Sequence, residues 1–226
     1  MIACEKSNHI SLRYSVGKLE IRSENAAKPG SQASASLVDW LEKQNRAGRV
    51  LDYGCGKLRY AGVLAKNCRS ITLVDSTVQL DREQIIAGER TTVRRYAKKW
   101  RHARVISVED FPDDKVSFDF VLCSNVLSAI PCRDARAAAL ELIRSKLSRN
   151  GCALFVVQFR NSFYRDLRNR KGVTRYLDGY LLRTPKGTFY YGIIPPHKLA
   201  RLVRAAHFTV EKSWIQGESA LVLARR

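Results

Sequence analysis

The stretch that most constrains this chain is Val50-Leu51-Asp52-Tyr53-Gly54-Cys55-Gly56-Lys57. An apolar run ends in an acidic residue and passes into two glycines spaced one apart, and Leu58 to Lys66 beyond them reads as a helix. A strand, a tight turn and a helix start are expected. Glycine accepts a positive φ and leaves no side chain between backbone and ligand, while a helix start offers unpaired N–H groups. This suits a nucleotide-like ligand, but a purely structural turn uses the same sterics, so the neighbouring segments must decide. Ile71-Thr72-Leu73-Val74 ends in Asp75, placed as the acidic residue about twenty positions on that holds ribose hydroxyls in such units. Phe118 to Cys123 is a third apolar run, closed by Ser124-Asn125. Asn150-Gly151 precedes a fourth, from Cys152 to Val157.

In order, Leu51-Asp52-Tyr53-Gly54-Cys55-Gly56, Leu73-Val74-Asp75, Phe118-Asp119-Phe120-Val121-Leu122-Cys123-Ser124-Asn125-Val126-Leu127 and Leu147-Ser148-Arg149-Asn150-Gly151 resemble the class I S-adenosylmethionine-dependent methyltransferases. The resemblance spans roughly residues 34 to 160, and Leu58 stands where that family often has a third glycine. It implies an α/β, Rossmann-like fold whose seven-stranded, mostly parallel sheet is flanked by helices and ends in an antiparallel strand. It also implies S-adenosyl-L-methionine as cofactor, with Gly54 and Gly56 admitting the methionine portion and Asp75 taking the ribose hydroxyls. Asp52 would order the loop and the cofactor amine, and Asn125 would sit by the methionine portion. Ser107 and Val108 stand where an adenine-binding aspartate and the residue against the ring are often found. Asp178 to Leu182 with Lys186 to Tyr191 shows a shorter similarity to bacterial methyltransferases associated with DNA phosphorothioation.

A chain of 226 residues, 45% of them hydrophobic, supports one sizeable α/β domain with additions. The expected plan is an N-terminal hairpin and linker or lid over residues 1–33, then a methyltransferase domain over 34–226 with a basic, aromatic insertion at about 160–192. The hairpin rests on alternation from His9 to Val16, the turn Gly17-Lys18 and Leu19 to Arg22, and the linker on the small polar run Asn25 to Ser36. Cys4, Cys55, Cys68, Cys123, Cys132 and Cys152 form no Cys-x-x-Cys pair, which points to reduced thiols and no metal. No leader or long apolar span is seen, so a cytoplasmic protein without membrane contact is expected.

The net charge of +19 speaks about partners, and nucleic acid is the polyanion a basic surface commonly meets; the bland alternative is solubility. Two segments concentrate it. Thr91 to His102 reads as a helix with Val93, Tyr96 and Trp100 on one face and Arg94, Arg95, Lys98, Lys99 and Arg101 elsewhere, serving phosphate contact or merely solvation. Arg160 to Lys186 holds eight cations against Asp166 and Asp178, interleaved with Phe163, Tyr164, Tyr176 and Tyr180. Such a mixture grips phosphates and stacks on bases, or packs its rings back onto the core.

Tyr180, Tyr190, Tyr191 and His197 fall in the region expected to wall the substrate, and Tyr180, Tyr190 and His197 are the catalytic candidates, with no general base singled out. Pro131-Cys132 has a sufficient structural reason in a first helical turn, and the Asn/Asp-Pro-Pro-aromatic motif of amino-methylating DNA enzymes is absent. Three function classes follow. The expected one is a methyltransferase acting on nucleic acid or something bound to it; the alternatives are a methyltransferase for a small anionic or aromatic molecule and a non-catalytic basic nucleic-acid-binding module.

Overall fold

The structure is a computed structural model and describes residues 4–5, 13–23, 27–28, 30–44, 48–160, 162–185 and 187–226. In chain order the elements before the first glycine turn are β1 (Cys4–Glu5), β2 (Arg13–Val16), β3 (Leu19–Arg22), α1 (Ala35–Glu42) and β4 (Arg49–Tyr53). Then come α2 (Ala61–Lys66), β5 (Ser70–Asp75), α3 (Thr77–Asp81), the small hairpin β6 (Gln84–Ile86) and β7 (Glu89–Thr91), α4 (Val93–Ala97), β8 (Ala103–Ser107) and β9 (Phe118–Ser124). The second half holds α5 (Arg133–Lys146), β10 (Leu147–Gln158), α6 (Ser162–Asp166), β11 (Val173–Tyr176), β12 (Gly179–Thr184), β13 (Gly187–Gly192), α7 (Pro196–Ala205), β14 (Thr209–Gln216) and β15 (Ser219–Arg225).

Seven strands form the main sheet in the order β14-β15-β10-β9-β4-β5-β8, and β15 runs antiparallel to both its neighbours. The expected sheet is present. Its inner strands are apolar on both faces, as a sheet covered by helices on each side requires: Val50, Leu51, Ile71, Leu73, Val121, Leu122, Leu154 and Phe155 are all buried. One face packs on α1 to α4, and the other on α5 and α7, whose Ala139, Leu140, Ile143, Leu199 and Val203 share a single core. Because β4 has β5 on one side and β9 on the other, the crevice at their C-terminal ends is where such a sheet binds ligands.

A second, six-stranded sheet has the order β1-β2-β3-β13-β12-β11. It joins the N-terminal hairpin to the late insertion through Thr188 of β13, which pairs with Ile21 of β3. Tyr14, Val16, Ile21, Leu181 and Tyr190 of this sheet are buried in the same apolar cluster as the face of the main sheet that carries α5. His9 to Leu12, and residues 24–26 and 29 of the linker, lie outside the described residues. Among the described residues no helix is long and apolar enough to cross a membrane, and no group of His, Cys, Asp and Glu is placed to hold a metal.

The insertion is fixed to the main domain by a buried ion pair. Arg136, 2% exposed, meets Asp178 in a two-pronged contact, Nη1 to Oδ2 at 2.6 Å and Nη2 to Oδ1 at 2.9 Å, and its Nε donates to the Ile130 carbonyl at 2.9 Å. Nη2 also reaches the Tyr190 hydroxyl at 3.0 Å, and that hydroxyl donates to Asp178. Burial alone would raise the Asp178 pKa, but the paired guanidinium outweighs it and holds the carboxyl below its ordinary value.

Removing the carboxylate strands a buried cation. Asp178→Ala is expected to cost about 3 kcal/mol, the low end for a broken buried pair because the Asp178 side chain keeps 23% exposure, read as a lower urea midpoint. The pair stabilises the fold fully above the unfolded carboxyl pKa of about 3.9 and loses that contribution as the pH falls through the depressed folded value, so the gap between wild type and variant closes in acid.

Candidate functional site

The turn after β4 hooks over the end of β5. Gly54 and Cys55 both donate their amides to the Val74 carbonyl, at 2.8 and 3.0 Å, and Gly54 and Gly56 sit at φ 76° and 56°. A Cβ on Gly54 would stand 2.2 Å from Val126 Cγ2, so the loop after β9 can close against the turn only because a glycine is there. Leu58 keeps the left-handed conformation, at φ 59°, that a glycine would adopt freely. That costs on the order of 1 kcal/mol, offset by burial of a side chain left only 7% exposed.

Asp75 closes the arrangement from β5. Its Oδ2 accepts the Gly56 amide at 2.8 Å and its Oδ1 accepts the Ser76 amide at 2.8 Å, so the carboxylate faces the glycine turn. Gln79, fully buried in α3, donates to the Gly56 carbonyl at 2.7 Å and fixes the other side of the loop, a support that no sequence motif marked.

The crevice so formed is a cleft of about 820 Å³ including its mouth. Asp52, Gly54, Gly56, Asp75, Val108 and Asn125 all line it, so six of the seven expected cofactor residues come together. Ser107 does not. It is buried, donates its hydroxyl to the Asp110 carboxylate and accepts the Asp110 amide, because the tight turn after β8 claims the hydroxyl first. Asn125 lies at φ 61° and spends its side-chain oxygen on the Gln158 amide at 2.8 Å, splicing β9 to β10 as well as walling the cleft.

The catalytic candidates lie elsewhere. Tyr190 is buried in the Arg136–Asp178 network, Tyr180 lines a separate groove, and His197 is exposed in the first turn of α7; none of the three lines the cleft. Cys132 caps the start of α5 in the apolar core, in keeping with a structural role.

Asp52 is the unusual group. It is 3% exposed, it lines the cleft, and among the described residues its carboxyl has no hydrogen-bond partner. Burial, with the nearby Asp75 charge adding and Arg59 opposing, raises its pKa to about 7. A buried carboxyl left open to a cleft suits a ligand bringing a positive charge or N–H donors. Over the mouth passes the N-terminal segment: Ser23, Ala27 and Lys28 line the cleft, and Ser23 Oγ donates to the Ala129 carbonyl at 2.7 Å. The Lys28 pKa is lowered by burial and by the neighbouring Arg59.

The family model described as "Methyltransferase domain" matches residues 26–213. The chain belongs to that family. It is 34% identical over 214 residues to the uncharacterized protein YmfD of Escherichia coli K12, covering 94% of this chain and 96% of that one. Among solved structures, a DhpI–SAM–HEP complex superposes with TM-score 0.62 at 16% identity, covering 85% of this chain and 86% of the other. An S-adenosylmethionine-dependent methyltransferase from Clostridium acetobutylicum gives 0.61 at 12% identity, with 89% and 93% covered. The Burkholderia thailandensis 1,6-didemethyltoxoflavin-N1-methyltransferase, bound to 1,6-didemethyltoxoflavin and S-adenosylhomocysteine, gives 0.59 at 20%, with 85% and 77% covered. The fold is therefore the Rossmann-like methyltransferase fold.

The raised Asp52 pKa makes a stability prediction. An acid whose folded pKa exceeds its unfolded one weakens the fold as the pH climbs from about 3.9 to the folded value of about 7, and the loss persists above it. Asp52→Asn has no such loss, so its urea midpoint is expected to rise relative to wild type between these pH values and then level off. The gain is at most about 4 kcal/mol.

Proposed function

We propose that this methyltransferase binds S-adenosylmethionine in the cleft and methylates a small anionic or aromatic molecule admitted beneath the N-terminal segment. The cofactor reading is supported by the donor and acceptor set described above. Asp75 stands at the end of β5 to accept ribose hydroxyls, the side-chain-free backbone of Gly54 and Gly56 leaves room for the methionine portion, and the open carboxyl of Asp52 suits its ammonium group. Val108 offers an apolar wall for the adenine. When bound, the cofactor supplies an activated methyl group on a sulfonium.

The residues of the chain then contribute alignment and exclusion of water rather than an identified base. In-line displacement gains most from holding the reacting atoms in register, and the rigid glycine turn and the spliced Ser124-Asn125 corner provide fixed walls. What carries the choice of a small acceptor is the roof. Ser23, Ala27 and Lys28 line the cleft and Ser23 is pinned to the Ala129 carbonyl, which favours a compact acceptor over a duplex. Lys28, Lys57 and Arg59 gather at the same mouth and favour one bearing negative charge. The wider positive charge that raised a nucleic-acid acceptor is concentrated outside this cleft.

Calorimetric titration with S-adenosylhomocysteine tests the cofactor reading. Wild type is expected to bind, and Asp75→Ala to bind about 100-fold more weakly, near 2.7 kcal/mol for lost charge-assisted bonds to two hydroxyls, with its circular dichroism unchanged. No binding by folded wild type would overturn the reading. For the acceptor, tritiated methyl label offered to a fractionated cell extract is expected in the small-molecule fraction, and label confined to nucleic acid would reverse that choice.

A further inference from the structure

A groove of about 1510 Å³ including its mouth forms where the starts of α5 and α7 meet the turn between β11 and β12. Arg133 from α5, Arg175 from β11, and Lys198 and Arg201 one turn apart on α7 line it, and among the described residues the charged group of none of these four makes a salt bridge or hydrogen bond. Among the described residues Asp178 is the only carboxylate in the lining, and it is committed to Arg136. Tyr180, half-buried, is the cross-strand partner of Arg175 and lines the same groove.

This contrasts with the basic stretch around α4. In the stretch from Arg90 to Lys99, Arg90 and Arg95 meet Glu83, Arg94 meets Asp81 and Lys99 meets Glu89. The charge expected there for phosphate contact is largely answered within the protein. Four unanswered cations brought together from three separate elements repel one another, and the fold derives nothing from that proximity unless an anion enters.

We infer that the groove docks the phosphodiester backbone of a single-stranded nucleic acid. Arginine forks and a lysine match phosphate oxygens in charge and geometry, and a tyrosine ring beside them offers a face on which a base can stack whatever its identity. The four cations enter the groove from α5, β11 and α7, so a strand bound there meets charge from more than one element. Two further features agree. Both α5 and α7 begin at the groove, with Cys132 and Pro195 as N-caps that provide no side-chain bond, so two positive helix ends add to the field. The groove also adjoins the methyl-transfer cleft, since Ile130 lines the cleft and its carbonyl is held by Arg136, which lines the groove. The docking site stands independently of what the cleft methylates.

Fluorescence anisotropy with short labelled oligo(dT) and oligo(U) between 50 and 200 mM salt provides the test. Four phosphate contacts on a single strand predict a slope of log affinity against log salt near about −2.8. Arg175→Gln/Arg201→Gln is expected to bind at least tenfold more weakly with a slope near about −1.4, while the charge-matched Lys98→Gln/Arg101→Gln stays within twofold of wild type. Titration with S-adenosylhomocysteine, unchanged in the groove variant, shows that it is folded and separates this result from any failure of the cofactor reading. Absence of binding at 50 mM salt, or equal losses in the two double variants, would overturn the docking site; equal affinity and slope for a duplex would overturn its single-strand assignment.

Discussion

Two amides donated to one carbonyl set the geometry on which the functional part of this molecule depends. With Gly54 and Cys55 both bound to Val74, the chain leaving β4 is pulled across the end of β5 and must turn at once. That turn requires the positive φ of Gly54 and Gly56, brings the Gly56 amide onto Asp75, and leaves room for Val126 to approach from β9. The cleft is thus a consequence of backbone geometry first and of side chains second. Leu58 illustrates the order of importance: it accepts a strained conformation to continue the turn and recovers the cost by burial.

The second sheet depends on a different kind of constraint. The N-terminal hairpin and the late insertion are each too small to be stable alone, and they become one sheet by pairing β3 with β13 and burying Tyr14, Ile21, Leu181 and Tyr190 against the main domain. Apolar burial does not by itself fix the angle at which such a sheet sits. The Arg136–Asp178–Tyr190 network does, because a buried guanidinium tolerates few arrangements of its partners. The same contact ties the insertion to Ile130, and so to the wall of the cleft.

What could be read from the sequence was what local backbone chemistry dictates. The glycine turn, the acid ending β5, the apolar inner strands and the Asn125 corner carry their reasons within a few residues, and all of them meet at the crevice. What could not be read depends on partners distant in sequence. Ser107 occupies an adenine-side position, yet Asp110 three residues on takes its hydroxyl. Tyr190 reads as a substrate-wall tyrosine until Arg136 is brought to it from α5. His197 follows two prolines that place it on the outer turn of α7, away from the cleft. The union of hairpin and insertion was likewise hidden, although both carried the alternation of strands, because no local signal says which strands will pair.

Charge shows the same division most sharply. A run of cations in a sequence is ambiguous, because whether it is available to a partner depends on the acids the fold sets opposite it. Around α4 the small β6–β7 hairpin and its approach supply Glu83 and Glu89, and α3 supplies Asp81, so a strongly basic stretch is largely answered within the protein. At the groove the fold does the reverse. It gathers cations from three elements, none of them in a conspicuous run except Arg175, and commits the carboxylate of Asp178 in the lining to a buried arginine. An excess of +19 is therefore spread unevenly in its consequences, largely paired around α4 and left open where the tertiary structure gathers cations at the groove.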